Sequence, residues 1–332
     1  MKPSLKKQNY HRLVFSGGGN RSAFYLGMLK AFGQKRLNKI THFVGVSLGS
    51  ILASLISMGL TIEEILQGES EMPFEFYYSW LLTSPFTCFQ KGGCVDIEHL
   101  RQLFTKWIQK SKPECLNWTF QTLYDKRKII LEIQALCTVT AERVVFNVQT
   151  NPNMLILKAM VASCAIPIAF TPYYHEKTII IDGGLFISVP WQSLNRKPFI
   201  NCSEYCACNA KTKKSKSLTK HSNSKKSKFN TLGLLLDYKQ DNNVQQLSLI
   251  ALFHRFLTLP INSLHLYEFK NNDETCHDCE KTHECKTGPE KKLIRATVDN
   301  SEFGMFSNVF PSREQKMEFY KSGFKQAKEQ NI

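Results

Sequence analysis

Residues Thr41 to Met58 constrain the fold of this 332-residue chain more than any other stretch. The apolar, β-type run Thr41-His42-Phe43-Val44 leads into Gly45-Val46-Ser47-Leu48-Gly49, and a helix-like segment, Ile51 to Met58, follows at once. A Gly-x-Ser-x-Gly pattern in that context predicts a sharp strand-to-helix turn with Ser47 at its apex. Such a turn holds the serine in a backbone conformation that costs energy, so that its hydroxyl projects clear of the sheet. Gly45 and Gly49 suit the turn because a Cβ at either would collide with the neighbouring strand or helix. The helix N-terminus beneath Ser47 favours negative charge there.

Upstream, His11 to Ser16 reads as a short strand, followed by Gly17-Gly18-Gly19-Asn20-Arg21-Ser22 and a helix from about Ala23 to Arg36. Strand, glycine loop and helix is a phosphate-binding arrangement in many proteins, but two nucleotide readings fail. A Walker loop needs Gly-Lys-Ser/Thr, which is absent. A dinucleotide fold wants a third glycine where Ser22 stands and an acid about 20 residues on, whereas the first acid in the chain is Glu63. Two readings stand: a tight βα turn, or a set of free backbone N–H groups able to hold a developing oxyanion. The strand before the loop should lie beside the strand that leads to Ser47, since consecutive β-α-β units usually pair in parallel.

Further on, Phe74, Phe76, Tyr77, Tyr78, Trp80, Phe86 and Phe89 crowd a stretch punctuated by Pro73 and Pro85, which reads either as a cap over a pocket or as core packing. Ile97 to Gln109 and Thr119 to Arg127 look helical; Lys128 to Cys137 and Arg143 to Val148 look like a hairpin-like pair of strands. A helix from Met154 to Ser163 should stop at Pro167. Thr178-Ile179-Ile180-Ile181 then forms a buried strand ending in Asp182-Gly183-Gly184. Asp-Gly often only shapes a turn, but the C-terminal edge of an open α/β sheet is also where such folds place their sites.

The formal charge of +15 is uneven: Lys211 to Lys228 holds eight lysines and no acid. This run and Cys202, Cys206 and Cys208 before it read as a flexible insertion. It could meet an anionic membrane; with no arginine and few aromatics it does not suit specific nucleic-acid reading. Order resumes with a strand, Thr231 to Leu236, and a buried helix near Val244 to Leu257. Ser312 to Lys328 is amphipathic, with Met317, Tyr320, Phe324 and Ala327 on one face, and should dock on the domain or lie on a membrane. The polar N-terminus has no signal-peptide core, no run reaches ~18 apolar residues, and the eleven cysteines form no regular framework. These features lead to an expectation of a cytoplasmic, peripherally membrane-associated protein. The organisation reads as a tail (1–9), a core (10–198), the insertion (199–229) and a C-terminal part packing on the core (230–332).

Four blocks in order, Gly17-Gly18-Gly19-Asn20-Arg21, Gly45-Val46-Ser47-Leu48-Gly49, Ala162-Ser163-Cys164-Ala165-Ile166-Pro167 and Asp182-Gly183-Gly184, resemble the patatin-like phospholipases, a family of lipid acyl hydrolases. The resemblance covers roughly residues 10–190. It implies a three-layer α/β/α fold with a mainly parallel central sheet, a lipid substrate at a membrane or micelle surface, and a catalytic dyad of Ser47 as nucleophile and Asp182 as its base. It also implies an oxyanion hole at Gly17, Gly18 and Gly19, supported by Arg21, Gly45, Gly49, Gly183 and Gly184. Ser22 departs from the family's usual glycine, and the lysine-rich insertion lies outside the family pattern. An aspartate is a poor base at a pKa of ~3.9, so burial should raise it or the oxyanion hole should carry most of the effect. That mechanism asks for no cofactor and no metal, so calcium-independence is expected.

Two rivals remain. A Ser-Asp-His hydrolase would need one of His221, His254, His265, His277 or His283 near Ser47. A catalytically silent fold would use its basic insertion to bind membranes. Separately, Cys276, Cys279 and Cys285 with His277 and His283, together with Cys202, Cys206 and Cys208, could close a structural zinc site or remain simple thiols.

Overall fold

In the computed structural model, residues 10–19, 21–70, 90–140, 142–175, 178–185, 190, 231–238, 291–298 and 312–330 are described. The chain enters through β1 (Arg12–Phe15), whose four residues are all buried. Helix α1 (Ser22–Phe32) follows the glycine loop, and a short α2 (Gln34–Leu37) follows α1. The single helix expected to Arg36 is broken at Gly33, whose φ of 92° no other residue adopts cheaply. Strand β2 (His42–Val46) and helix α3 (Leu48–Met58) form the turn around Ser47, and α4 (Ile62–Ser70) comes next.

After β3 (Gly93–Val95), helix α5 (Ile97–Ser111) starts on an Asp96 cap that accepts the Glu98 N–H, and α6 (Phe120–Arg127) on a Thr119 cap that accepts the Thr122 N–H. The strands β4 (Ile130–Cys137) and β5 (Arg143–Phe146) pair antiparallel, as the hairpin pattern predicts. Helix α7 (Ile156–Ser163) begins two residues later than its apolar pattern suggests. Then come β6 (Ile168–Phe170), β7 (Tyr173–His175), β8 (Thr178–Asp182), β9 (Thr231–Tyr238), β10 (Lys291–Val298) and α8 (Arg313–Glu329).

The main sheet runs β10-β9-β1-β2-β4-β8-β7, with β5 also on β4. The five strands from β10 to β4 are parallel; β8, β7 and β5 run against their neighbours. The sheet is therefore mainly parallel, as expected, and β1 and β2 are adjacent. Strand β1 has its successor on one side and the late strand β9 on the other. The chain thus leaves it in both directions, which makes its carboxyl end a place where open α/β sheets form crevices.

One geometric expectation is corrected. Asp182 does end its strand, but β8 is antiparallel to β4, with Ala135 opposite Asp182. The strand starts beyond the carboxyl edge of the parallel strands and descends to Asp182. The aspartate thus reaches the level of Ser47 from the opposite direction.

Helix α8 docks on α1, and the contact is backbone to backbone. A Cβ on Gly27 would strike the Tyr320 carbonyl, and one on Gly323 the Phe24 carbonyl. This close approach sets the buried face at Phe319, Gly323 and Ala327. Met317 and Phe324, expected on the inner face, stay 43% and 37% exposed. Pattern reading missed the rotation because it ranks bulk, while the crossing is centred on residues with none. Phe24 and Phe319 pack beside it as a tilted pair with centroids 5.1 Å apart, and Ser312 with Gln315 closes a capping box.

At the amino ends of the parallel strands, Arg12 Nε–H donates to His42 Nδ1 (3.1 Å), leaving the imidazole proton on Nε2, 2.7 Å from Glu132 Oε1. All three side chains are buried. Burial and the Arg12 charge hold the imidazole below its ordinary pKa against the pull of Glu132. The aromatic stretch from Phe74 to Phe89, the lysine run, the Val244–Leu257 helix, both cysteine groups and the five histidines after Asp182 lie outside the described residues.

Candidate active site

Ser47 sits between β2 and α3 with φ 54° and ψ −129°. Positive φ in a non-glycine residue is strain of about 1–3 kcal/mol that only the surroundings can hold. The glycines make the turn possible by absence: a Cβ on Gly45 would run into the Gly49 carbonyl, and one on Gly49 would lie 2.5 Å from the Ser16 carbonyl oxygen and 2.6 Å from that of Phe15. The turn is also tied by hydrogen bonds. Ser50 donates to the Ser47 carbonyl through its N–H (2.8 Å) and its hydroxyl (2.7 Å), and the Ser47 N–H donates to Ser163 Oγ (2.9 Å).

Strand β8 delivers Asp182 to this turn. Ser47 Oγ donates to Asp182 Oδ2 at 2.6 Å, and the Gly184 N–H donates to Oδ1 at 2.5 Å. The Asp182 N–H is itself held by the Ala165 carbonyl (2.9 Å), just past α7. Both side chains are nearly out of water, Ser47 at 7% and Asp182 at 2% exposure. Burial lifts the Asp182 carboxyl from 3.8 to about 7, although the Ser47 hydroxyl and the Gly184 N–H pull it down. A carboxylate poised there is a far better base at neutral pH than a solvated one. Gly183 and Gly184 are packed too tightly for side chains: a Cβ on Gly183 would sit 2.9 Å from Val46 Cγ2, and one on Gly184 3.1 Å from Ser47 Cβ.

The glycine loop meets the dyad at Gly17, whose Cβ position lies 3.6 Å from Ser47 Cβ and 3.5 Å from Gly184 Cα. Its carbonyls face the other way. The Ser16 hydroxyl donates to Gly17 O (2.9 Å) and lies 2.5 Å from the Tyr25 hydroxyl, which reaches Ser16 O (3.1 Å) and Gly17 O (3.3 Å). In a trans peptide the N–H points opposite to the C=O, so anchoring the Gly17 carbonyl on Tyr25 turns the Gly18 N–H away from it. Among the described residues, no hydrogen bond engages the N–H of Gly17, Gly18 or Gly19. Gly18 is wedged against Leu236 and Leu48, and Gly19 takes φ 56°.

Arg21 is buried at the start of α1, where its carbonyl accepts the Phe24 N–H (3.1 Å). Behind it, burial raises the Glu69 carboxyl against the pull of the Ser22 hydroxyl and the Lys316 ammonium. Ser47, Asp182, the glycine loop, Gly45, Gly49, Gly183 and Gly184 thus gather at the carboxyl ends of β1 and β2. Tyr25, Ser50 and Ser163 are assigned no role by pattern: nothing in the sequence sets Tyr25 apart from its helix, and Ser163 stands only as part of a matching block. Among the described residues, no group of three or more His, Cys, Asp or Glu is placed to hold a metal ion.

A family model described as patatin-like phospholipase matches residues 13–195. The protein named Probable lipid hydrolase 463L, of Invertebrate iridescent virus 6, is 32% identical over 190 residues, 56% of this chain and 64% of its own. Triacylglycerol lipase ptl3 of Schizosaccharomyces pombe is 29% identical over 168 residues, 48% of this chain and 33% of its own. The chain thus spans less than two thirds of the length of these relatives. Among solved structures, VipD from Legionella pneumophila shares the fold with a TM-score of 0.56 at 14% identity, covering 97% of this chain and 66% of VipD.

Proposed function

The chain belongs to the patatin-like phospholipase family, and we propose that it hydrolyses carboxylic esters of lipids through a dyad of Ser47 and Asp182. The observation that carries this is the 2.6 Å hydrogen bond from Ser47 Oγ to Asp182 Oδ2, made at a strained turn and shielded from water. That distance leaves no room for an interposed imidazole, which favours the dyad over a relay through histidine.

In the reaction, Ser47 Oγ attacks the ester carbonyl while its proton passes to Asp182 Oδ2. The N–H groups of Gly17, Gly18 and Gly19 hold the tetrahedral oxyanion. The C–O bond to the alcohol breaks, and Asp182 returns the proton to the leaving oxygen. Water then attacks the acyl-enzyme, giving a proton to Asp182, and collapse releases the fatty acid and restores the Ser47 hydroxyl. No step asks for calcium.

The substrate is a phospholipid or lysophospholipid presented at a membrane surface, where Lys211 to Lys228 meet anionic head groups. No helix among the described residues is long and apolar enough to cross a membrane.

An active-site fluorophosphonate tests the dyad, with adduct formation read by intact mass. Wild type should label at Ser47, Ser47→Ala should not, and Asp182→Asn should label about 10²-fold or more slowly. A wild type that stays unlabelled in the presence of anionic vesicles and cell extract would refute the proposal and point to a silent, membrane-binding fold.

A further inference from the structure

We infer that Ser163 is a positioning residue for the nucleophile: its hydroxyl takes the Ser47 N–H, holding the strained turn and withdrawing that amide from the oxyanion hole. The inference rests on the reading of Ser47 as nucleophile and adds a residue and a constraint to it.

Ser163 is the last residue of α7 and is fully buried. Its Oγ accepts the Ser47 N–H at 2.9 Å and donates its only proton to the Gln134 carbonyl on β4 at 2.6 Å. A hydroxyl has one donor, and here it is committed, so the oxygen is left facing Ser47 as an acceptor. From the other side, Ser50 takes the Ser47 carbonyl through its hydroxyl and its N–H. Both backbone polar groups of Ser47 are therefore fixed, from two elements 116 residues apart in the case of Ser163. A residue at φ 54° relaxes unless its surroundings over-determine it. The two hydroxyls supply that determination on either side of the reacting oxygen.

The bond also decides which amides serve catalysis. In chymotrypsin-type serine proteases the nucleophile's own N–H helps to bind the oxyanion. Here that N–H is already spent on Ser163. The negative charge then falls to other N–H groups, and those of Gly17, Gly18 and Gly19 have no partner among the described residues. Ser163 thus separates two tasks that chymotrypsin-type proteases combine at one residue, fixing the nucleophile and stabilising the charge.

The test compares wild type, Ser163→Ala and Ser163→Thr by two readouts. The first is hydrogen exchange resolved to the Ser47 amide under native conditions, which needs no catalysis. The second is the labelling rate per folded site by a fluorophosphonate, with its concentration dependence split into binding and reaction. In Ser163→Ala the Ser47 amide should exchange at least about tenfold faster. The reaction step should slow about 30-fold, with reagent binding unchanged within about twofold. Ser163→Thr keeps the hydroxyl and should restore both to within about threefold of wild type.

A merely structural serine would lower the unfolding midpoint while leaving exchange at Ser47 and labelling per folded site at wild-type values. That result overturns the inference. If wild type itself never labels, the dyad reading fails, and exchange at Ser47 alone decides whether Ser163 holds the turn.

Discussion

Replacing Asp182 by asparagine should abolish the base and stabilise the protein, and the gain should depend on pH. Burial raises the Asp182 carboxyl from 3.8 to about 7, outweighing its two hydrogen bonds. A carboxyl raised by folding binds more protons in the folded chain than in the unfolded one. Its contribution to stability is therefore full below about pH 4 and is lost as pH rises through about 7. Each pH unit in that window is worth about 1.4 kcal/mol, so the Asp182 contribution falls by about 3 kcal/mol between about pH 5 and about pH 7, then levels off. Asparagine does not titrate. It also offers one acceptor where the carboxylate uses two, for Ser47 and Gly184, a deficit of about 1 kcal/mol that is the same at every pH. The advantage of Asp182→Asn should thus grow by about 3 kcal/mol from about pH 5 to about pH 8. Urea unfolding of both proteins at those two values measures it directly. An advantage that stays constant, or that shrinks toward alkaline pH, would refute the argument that Asp182 is ionised at a desolvation penalty.

Tyr25→Phe removes the hydroxyl that anchors the Gly17 carbonyl; fluorophosphonate labelling should slow about tenfold, with a stability loss of only about 1 kcal/mol in urea. Gly323→Ala places a methyl group on the Phe24 carbonyl and should lower stability by about 1–3 kcal/mol, seen as a lower urea midpoint with labelling per folded site unchanged. His42 carries the opposite pH sign to Asp182. Its pKa is lowered by burial and Arg12, so the folded chain binds fewer protons at this group and the stability that His42 contributes falls as pH drops below about 6.5, against the gain from Asp182. The stability of His42→Gln relative to wild type should therefore rise between about pH 7 and about pH 5, read from urea midpoints of both proteins.

Much of the site was legible because its determinants are local. Gly45, Ser47 and Gly49 specify their own turn, and the apolar run before them and the helix after them belong to the same twenty residues. The parallel pairing of β1 and β2 follows from a single β-α-β unit. Asp182 could be picked out by the strand before it, yet the direction of that strand could not, since antiparallel and parallel neighbours leave the same short apolar pattern. The hydrogen bond from Ser47 to Ser163 and the chain Arg12-His42-Glu132 each join residues far apart in sequence, and no spacing rule encodes them. Strand β10 escaped notice because Lys291-Lys292-Leu293-Ile294-Arg295 alternates poorly; it is a strand because β9 lies beside it over eight consecutive pairs. The buried face of α8 keeps Tyr320 and Ala327 but turns away from Met317 and Phe324 for a related reason: what selects it is a glycine on another helix.

The placement of β9 has a consequence for how the protein is made. Thr231 to Leu234 pair residue for residue with β1, the Ser16 N–H donates to Leu234 O (3.1 Å), and Leu236 lies against Gly18. A ribosome has already released both Ser47 and Asp182 when this partner is still untranslated. At about 5–20 residues per second, the first strand waits roughly 10–40 seconds with Leu13, Val14 and Phe15 on an open edge that invites wrong pairing. Helix α8, which covers α1, emerges later still. The growing chain thus carries its reactive groups for much of its synthesis without the scaffold that aligns them, and a ribosome-bound fragment ending near residue 200 should need a chaperone before it needs a substrate.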